Sequence, residues 1–466
     1  MHNNSNESVP SPRVGQLNID FTDKPMTPWG GVAVLVGKFV ERIGFLQWAE
    51  AAFPVKETSN NAGGVGEKLL AQFLTLLCGG DRFAHCGWWE HSREILRRAF
   101  GVSWLPSSSS TLTRFWSKIG SQALSEAWLE QLRAFALKMV QEAAIQEDCL
   151  SLDSTVAVRY GSQDGAARGY NPKKPGRKSH HPLLAALGKG FVVNLWNRGG
   201  DTYSGNSAVN FLEQTLTLLA GHVRISRILA DSGFYLVQVL DWAEAHGLQY
   251  IIAVRQDPLI QKQLEKLLVS GEWTQIEPGL AVSEFRFKHL DAKWTHERRY
   301  IVIRQDAKLR PNATGKQPSL FEDVEDFSHY RFTVLVTNDE VSSPHEIWKH
   351  YRQRANIENT IKELKEGYGL ASFSKKNFWA TEAVMATNAL VFHNLILYLN
   401  RHILTPTGPL QQLKSLRSRW FAIPAILGRD GRASVMRIGL PEPKQRQEIM
   451  QCFDLIGELG FQLQCS

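Results

Sequence analysis

The spacing of apolar residues divides the chain into a helical first part and a mixed second part. From residue 30 to about residue 144 apolar positions recur with the helical period, in the runs VAVLVGKFVERIGFLQWAEAAF, EKLLAQFLTLLCGG, HSREILRRAFG and SEAWLEQLRAFALKMVQEAA. Residues 1–28 are rich in Asn, Ser and Pro and lack this period, which is typical of a flexible leader. The pattern predicts an all-helical region over residues 29–145.

From Cys149 onward the apolar runs become short and β-rich. CLSLDSTVAVRY, PLLAALGKG and FVVNLWNRGG follow one another directly, whereas RISRILADSGF and LQYIIAVRQD are each preceded by a run with helical period. Consecutive strands can pair antiparallel, but strands separated by helices need crossovers and pair parallel. Residues 146–256 are therefore predicted to form a mixed α/β sheet with helices packed on it.

A second β-rich stretch over residues 257–338 has the appearance of an insertion into this α/β domain. VSEFRFKHL, ERRYIVIRQ and YRFTVLVTN are its strand candidates, and KLRPNATGKQPSLFEDVED is a long polar loop. Helical period resumes in SPHEIWKHYRQRANIENTIKELKEGYG, which starts with Ser-Pro and ends in Gly. A strongly apolar helix follows, TEAVMATNALVFHNLILYLNRH, which we expect to be buried. We expect residues 339–404 to complete the α/β domain and residues 405–466 to form a C-terminal region.

Composition and charge narrow the class of protein. The chain has 466 residues, 43% of them hydrophobic and 21% charged, which excludes disorder over most of its length. Five cysteines without a CxxC pair argue against a disulfide framework or zinc ribbon. We find no run of about 20 apolar residues and no signal-peptide pattern, so we expect a cytoplasmic protein without a membrane partner. The net charge of +7 only weakly suggests a polyanionic partner.

Two aspartates stand out against apolar strands. Asp153 lies in the middle of the first predicted strand, and Asp231 ends the fourth. A carboxylate in such a place is costly unless it is paired, hydrogen-bonded or bound to a metal, and functional groups gather at the carboxyl ends of strands in α/β sheets. Taken singly, either residue could equally be a turn or cap residue.

Four polar residues share one face of the helix after the insertion. Tyr351, Arg354, Glu358 and Lys365 are spaced so that, at about 100° per residue, all four fall within roughly 60° of one another. A solvated face with ion pairs between residues four apart, such as Arg354 with Glu358, would give the same pattern. Spacing alone does not separate these two interpretations.

These residues resemble a known family. The spacing Y-x2-R-x3-E-x6-K matches the signature of the DDE transposases of bacterial insertion sequences, in which the Glu completes a metal-binding triad with two upstream Asp residues. The resemblance extends to GYNPKKPGRKSHHPLL at residues 169–184, to PSSSSTLTRFW at residues 106–116 and to the long insertion before the Glu helix. The chain is most similar to insertion-sequence family thirteen-eighty, within the insertion-sequence-four group.

The resemblance implies both a fold and an activity. It implies a ribonuclease-H-like mixed-sheet catalytic domain interrupted by a β-rich insertion and preceded by an all-helical DNA-binding region. It further implies a transposase that binds the terminal inverted repeats of its element, cuts at the ends and joins them to target DNA by cut-and-paste. We would expect a homodimer in a synaptic complex, located in the cytoplasm with the nucleoid.

The triad of Asp153, Asp231 and Glu358 has a chemical rationale of its own. Three converging carboxylates raise each other's pKa unless divalent cations offset the repulsion. Hard oxygen ligands suit Mg²⁺, for which Mn²⁺ could substitute, and two ions roughly 3.5–4 Å apart support in-line phosphodiester displacement. We therefore assign these residues as catalytic metal ligands. Tyr351, Arg354 and Lys365 would then hold phosphates of the DNA end beside the metals.

Further candidate DNA contacts lie outside the triad. The densest basic stretch, residues 159–189, contains Lys173, Lys174, Arg177 and Lys178 and fits a DNA backbone track, although a solvated hairpin is the alternative. His180 and His181 adjoin and should point to opposite faces of a strand, which argues against a paired metal site.

Two other features concern the helical region and the insertion. HSREILRRAFG and the following helix with Arg114 suggest a helix-turn-helix, although Ser/Thr caps open many ordinary helices. Trp273 and Trp294 could stack on an unpaired base, but core packing is the favoured role for both.

Two rival functions share these features. A nuclease with the same fold would cut DNA without joining it, and a non-catalytic DNA-binding relative would do neither. The second has little reason to retain the three acids together with Tyr351, Arg354 and Lys365.

Overall fold

The computed structural model describes residues 13–57, 63–313, 315 and 329–464. The first twelve residues of the predicted leader and most of the predicted polar loop after Lys308 therefore lie outside the described residues. From Arg13 onward the leader contains paired strands, β1 (Arg13–Val14) with β2 (Leu17–Asn18), and β3 (Met26–Thr27), which joins a sheet near the C-terminus. This part of the leader is thus tied to the fold.

Every described element between Val32 and Glu142 is helical, as the apolar period predicts. A π-helical turn, Val32–Val36, leads into the first α-helix, and a 3-10 stretch, Phe83–Ser92, precedes the fourth. The α-helices are α1 (Gly37–Arg42), α2 (Phe45–Ala52), α3 (Val65–Leu77), α4 (Arg93–Ala99), α5 (Ser109–Trp116) and α6 (Gln122–Glu142).

The following segment forms the centre of a large mixed sheet. Its elements are β4 (Glu147–Ser154), β5 (Ala157–Val158), β6 (Ala167–Arg168), β7 (Lys178–His180), β8 (Leu183–Leu187), β9 (Val192–Trp196), α7 (Ala208–Leu219), β10 (Arg224–Ala230), α8 (Val237–Ala245) and β11 (Tyr250–Ala253). Strands β4, β8 and β9 pair antiparallel, and β4, β10 and β11 pair parallel. Both pairings were predicted from the order of strands and helices. The short strands β5, β6 and β7 form a separate small sheet.

The stretch predicted to be a β-rich insertion extends this same sheet. It contains α9 (Pro258–Ser270), β12 (Thr274–Glu277), β13 (Leu280–Phe287), β14 (Arg298–Asp306) and β15 (Tyr330–Thr337). Strand β15 pairs antiparallel with β11, which gives nine strands in the order β12-β13-β14-β15-β11-β10-β4-β8-β9. The sequence analysis missed both helix α9 and the continuity of the sheet.

The helix with the four polar residues is broken, which corrects the sequence analysis. It consists of α10 (Pro344–Tyr351), a 3-10 turn over Arg352–Arg354, and α11 (Ala355–Glu366). Because a 3-10 turn has three residues per turn, residues beyond it are rotated relative to those of a continuous α-helix. The predicted arc of roughly 60° for the four residues therefore does not apply.

A long buried helix connects the sheet to the helical region. Helix Phe378–Leu404 comprises α12 (Phe378–Ala386), α13 (Asn394–Leu399) and two π-helical turns. Within the described residues it is the one helix long and apolar enough to cross a membrane, a feature the sequence analysis did not anticipate. Its most apolar window is entirely buried inside the protein, as in the core helix of a soluble protein.

The C-terminal region packs back onto the first helices. It contains α14 (Leu413–Leu416), the hairpin of β16 (Ala425–Asp430) and β17 (Ala433–Ile438), and α15 (Pro443–Glu458). Strand β3 pairs with β16, and α15 contacts α1. The two ends of the described chain are therefore held together.

Candidate active site

Asp153 and Asp231 lie side by side at the carboxyl ends of neighbouring parallel strands. Leu152 of β4 is paired with Ala230 of β10, and each aspartate is the next residue along its strand. Neighbouring strands are about 4.8 Å apart, so the two carboxylates project from adjacent backbone positions. The crossover through α7 produces this arrangement, because it forces β10 to run in the direction of β4.

A backbone hydrogen bond orients each aspartate. Asp153 Oδ1 accepts from the Ser154 N–H at 2.7 Å. Asp231 Oδ1 accepts from the Gly233 N–H at 2.8 Å and so caps the short turn Ser232–Phe234. Asp231 is therefore a cap residue, as the alternative interpretation proposed, and a neighbour of Asp153 as well.

Glu358 joins the two aspartates through Arg354. Glu358 lies in the first turn of α11, where its side chain is 54% exposed, and it is paired with the Arg354 guanidinium. Arg354 Nη1 also lies 3.6 Å from Asp153 Oδ2, and both of those side chains are only 15% exposed. The predicted ion pair between Arg354 and Glu358 thus forms, and it forms at the edge of the two aspartates.

The electrostatics of the site are dominated by burial. Burial raises the pKa of Asp153 to about 7, although the charge of Arg354 opposes the rise, and Asp231 contributes further to it. Burial also raises the pKa of Tyr351, which interacts with Arg354 and, more weakly, with Asp231. Tyr351 therefore lies near Asp231, and Arg354 lies near both aspartates.

Lys365 links the acidic site to the basic loop. Burial lowers the pKa of Lys365, the charge of Lys173 lowers it further, and Asp153 opposes the change. Lys173, Lys174, Arg177 and Lys178 are all exposed. Lys174 and Arg177 lie over the ring of Tyr160, at 5.1 and 5.9 Å from its centre. Exposed Lys173 of this loop thus lies near Lys365, which itself lies near Asp153.

The remaining predicted residues lie elsewhere. Arg114 is exposed on α5, and Ser108, just before that helix, bonds to Ser110 rather than capping it. Trp294 is buried against Tyr235 and Arg298. Trp273 is half-buried under Arg304, whose guanidinium carbon lies 4.3 Å from the centre of its ring. Both tryptophans pack within the protein, as favoured from the sequence.

His180 and His181 have separate partners, and one of them adjoins the site. His180 bonds to Arg159 and to the Asp164 carbonyl. His181 bonds to Ser154 and to the Thr202 carbonyl. The hydrogen bonds of Ser154 with Asp153 and His181 were not predicted from the sequence. The position of Ser154 directly after Asp153 was the one feature that could have indicated them.

A second acidic cluster does not overlap the triad. Within the described part of the chain, Asp241, Glu244 and His296 are the one group of three such residues whose ligand atoms all lie within 4.8 Å of one another. Arg298 already forms ion pairs with Asp241 and Glu244. These carboxylates therefore have a buried cationic partner and give no reason to place a metal there.

The donor set of the triad fits a divalent cation. Its three carboxylates supply the hard oxygen ligands that Mg²⁺ prefers. Arg354 Nη1 is buried and, among the described residues, has no hydrogen-bond partner. The guanidinium thus balances carboxylate charge without a well-formed bond to Asp153, because 3.6 Å exceeds hydrogen-bonding distance. In the described part of the chain, however, the ligand atoms of Asp153, Asp231 and Glu358 do not all lie within 4.8 Å of one another, so this structure does not bring the three carboxylates together around one point.

Residues 11–459 match the family model described as transposase DDE domain, group 1. The chain belongs to this family of DDE transposases. Membership makes the protein an enzyme of the transposase class and implies dependence on a divalent metal ion. The insertion-sequence subgroup of the transposase is not specified by this match.

The chain was also compared with curated protein sequences and with solved structures. No curated protein sequence matches the chain. A cryo-EM structure of a piggyBac transposase synaptic complex with hairpin DNA is similar, with a TM-score of 0.43 and 11% sequence identity over 84% of this chain and 78% of that chain.

Proposed function

We propose that this transposase binds the terminal inverted repeats of a bacterial insertion sequence and moves it by cut-and-paste. The element would belong to the insertion-sequence-four group and be most similar to family thirteen-eighty. The observation that carries the proposal is the pairing of Leu152 with Ala230, because it sets Asp153 beside Asp231 in the pattern of a DDE site. The Y-R-E-K residues adjoin these acids, which supports the assignment of the subgroup.

In the proposed mechanism Asp153, Asp231 and Glu358 would hold two Mg²⁺ ions, for which Mn²⁺ would substitute. When bound, such ions activate the attacking oxygen and stabilise the leaving oxygen of a phosphodiester. Arg354 and Lys365 supply positive charge for the phosphates of the DNA end, and Tyr351 supplies a hydroxyl donor. Water is the nucleophile for cleavage, and the freed 3′ hydroxyl is the nucleophile for joining.

The DNA contacts are proposed to extend along the basic loop and the helical region. Lys173, Lys174, Arg177 and Lys178 would follow the backbone of the transposon end, and exposed Arg114 would contact the repeat. Two ends must be held together during transposition, so a homodimer is proposed to act in the synaptic complex, in the cytoplasm with the nucleoid.

The proposed organisation keeps the divisions predicted from the sequence. Residues 29–145 would bind DNA, residues 146–256 and 339–404 would form the ribonuclease-H-like catalytic domain, and residues 257–338 and 405–466 would be accessory regions. The exposed basic loop beside Asp153 supports the placement of DNA on the catalytic domain.

The test is in vitro cleavage and joining of a plasmid that carries the gene with its native flanks, in Mg²⁺. Wild-type protein is compared with Asp153→Ala, Asp231→Ala and Glu358→Ala. The matched controls are Asp430→Ala and Asp454→Ala, which remove exposed carboxylates outside the triad. We expect nicks at both flanks and joined products for the wild type and the controls, and neither for the triad variants.

The other outcomes separate the rival functions. Cleavage without joined products would favour a nuclease. Binding without cleavage by the wild type would favour a non-catalytic DNA-binding relative. Cleavage that persists in Asp153→Ala or Glu358→Ala would overturn the assignment of the triad.

A further inference from the structure

A chain of hydrogen bonds runs beneath the two aspartates. His181 is buried, with 4% of its surface exposed. Its Nδ1 lies 2.6 Å from the Thr202 carbonyl oxygen, and its Nε2 lies 3.1 Å from Ser154 Oγ. Ser154 Oγ in turn lies 2.7 Å from Ser204 Oγ. Three side chains from separate segments are thus connected.

The direction of each hydrogen bond follows from the chemistry of the groups. Burial lowers the pKa of His181 and so favours the neutral imidazole, which carries one N–H. A carbonyl oxygen only accepts, so Nδ1 is the donor to Thr202 and Nε2 is left to accept from the Ser154 hydroxyl. Ser154 Oγ then accepts from the Ser204 hydroxyl. Each hydrogen bond in this series thus has one donor, from Ser204 through Ser154 and His181 to the Thr202 carbonyl.

The two serines of this hydrogen-bonded series each touch the backbone segment of one aspartate. Ser154 follows Asp153 directly and donates its N–H to that carboxylate. Ser204 packs against Gly233, where a Cβ would lie only 3.0 Å from Ser204 Oγ. The Gly233 N–H is the donor to Asp231. The hydroxyl pair thus spans the gap between the two aspartate segments.

A buried arginine fixes the segment that contributes Ser204. Arg198 is 8% exposed. It donates to the His181 carbonyl at 3.0 Å and to the carbonyls of Tyr203, Ser204 and Asn206 at 3.0 to 3.2 Å. The segment with Ser204 is therefore held in place relative to His181 by a side chain that binds both.

We propose that His181 is a positioning residue that sets the spacing of Asp153 and Asp231 through Ser154 and Ser204. The inference rests on the proposed metal site, because the spacing of the aspartates matters only if they share ligands. Functional groups must be held within about 0.5 Å of their working geometry, and residues that support metal ligands commonly control metal affinity.

The experiment measures Mg²⁺ binding to the full chain by calorimetry, together with single-turnover cleavage of a DNA end. His181→Phe keeps a ring but removes both hydrogen bonds of the imidazole. Ser204→Ala removes the hydroxyl that bonds to Ser154. We expect about 10-fold weaker Mg²⁺ affinity in each variant. We also expect slower cleavage at saturating DNA with unchanged DNA affinity. His181→Gln retains an acceptor for Ser154 and should recover most of the loss.

The neighbouring histidine provides a matched control. His180 is fully buried and both of its ring nitrogens are bonded, but its partners are Arg159 and the Asp164 carbonyl. His180→Phe should therefore cost stability and leave Mg²⁺ affinity unchanged. A merely structural role of His181 would make the two histidine variants behave alike.

The outcomes distinguish this inference from the proposed function. Unchanged Mg²⁺ affinity in Ser204→Ala, and in His181→Phe if that variant folds, would overturn the positioning role and leave the metal site standing. If His181→Phe does not fold, Ser204→Ala decides, because it removes one hydroxyl at a half-buried position. A wild-type chain that binds no Mg²⁺ would overturn the proposed metal site and the inference together.

Discussion

Arg354 Nη1 lies 3.6 Å from Asp153 Oδ2 while the same guanidinium is paired with Glu358. The Arg354 guanidinium thus interacts with two carboxylates from different elements. Asp153 lies on a central strand, and Glu358 lies on the helix after the insertion. A divalent metal ion held by these acids would offset the same negative charge. In the proposed metal site Arg354 would therefore compete with the metal for the carboxylates, and metal binding would free it to contact a phosphate.

Replacement of this arginine tests the competition. We expect Arg354→Gln to bind Mg²⁺ several-fold more tightly than the wild type, because a positive charge beside the ligands is removed. DNA cleavage should nevertheless fall, since a phosphate contact is lost. Calorimetry measures the affinity, and Arg352→Gln is the control, because Arg352 is exposed two residues away. Weaker Mg²⁺ binding by Arg354→Gln would show that the arginine supports the metal site instead.

The basic loop makes a prediction about salt dependence. Lys173 and Lys178 are exposed, and each phosphate contact steepens the fall of affinity with salt by about one unit of logarithmic slope. The double variant Lys173→Ala/Lys178→Ala should lower the slope for a transposon end by roughly two. Fluorescence anisotropy across a salt series measures the slope. Exposed Lys293 provides the control substitution, and an unchanged slope in the double variant would place the DNA elsewhere.

The centre of the sheet could be predicted from the sequence because its connections are local. Helices between β9, β10 and β11 predict that these strands run parallel, and the observed pairing of β10 with β4 then brings Asp231 to Asp153. The apolar runs also predicted the burial of the long helix at Phe378–Leu404, since a helix that is apolar all round must be covered.

The sequence was less informative where partners are distant. Nothing in the run YRFTVLVTN indicates that β15 pairs with β11 rather than with a separate sheet, because local composition favours a strand without specifying its partner. The 3-10 turn at Arg352–Arg354 also lies in a stretch without Gly or Pro, so the sequence has no marker for it. The network of His181, Ser154 and Ser204 joins three segments and required the fold to be known.

The buried histidine of the long helix predicts how stability depends on pH. Burial lowers the pKa of His393 to about 4, despite its hydrogen bond to the Gly190 carbonyl. Between the usual value of about 6.5 and this lower value, the unfolded chain binds a proton that the folded chain does not. The contribution of neutral His393 to the free energy of unfolding is complete above about pH 6.5 and is lost as the pH falls toward 4. Each pH unit within this window costs about 1.4 kcal/mol.

Denaturant unfolding at pH 7 and pH 5 tests whether stability falls with pH in this way. The wild type should lose about 2 kcal/mol more than His393→Gln between the two values, because the variant has no group to protonate. His91→Gln, which changes an exposed histidine, should behave as the wild type does. An equal loss in His393→Gln would assign the acid sensitivity to other groups, of which His180 is the first candidate, since burial lowers its pKa to about 4 as well.

The helical region and the long helix share one hydrophobic core, which predicts joint unfolding. The Phe392 ring stacks on that of Phe73 with 4.8 Å between centres. The Gln72 amide donates to Asn388 nearby at 2.7 Å.

Phe392→Ala should cost about 3–5 kcal/mol, because a large buried ring is replaced by a cavity. The exposed Phe21→Ala control should cost under about 0.5 kcal/mol. If the core is shared, tryptophan fluorescence and far-UV circular dichroism will report the same lowered midpoint. Two separate transitions, with only one shifted, would mean that the helical region folds independently of the catalytic sheet.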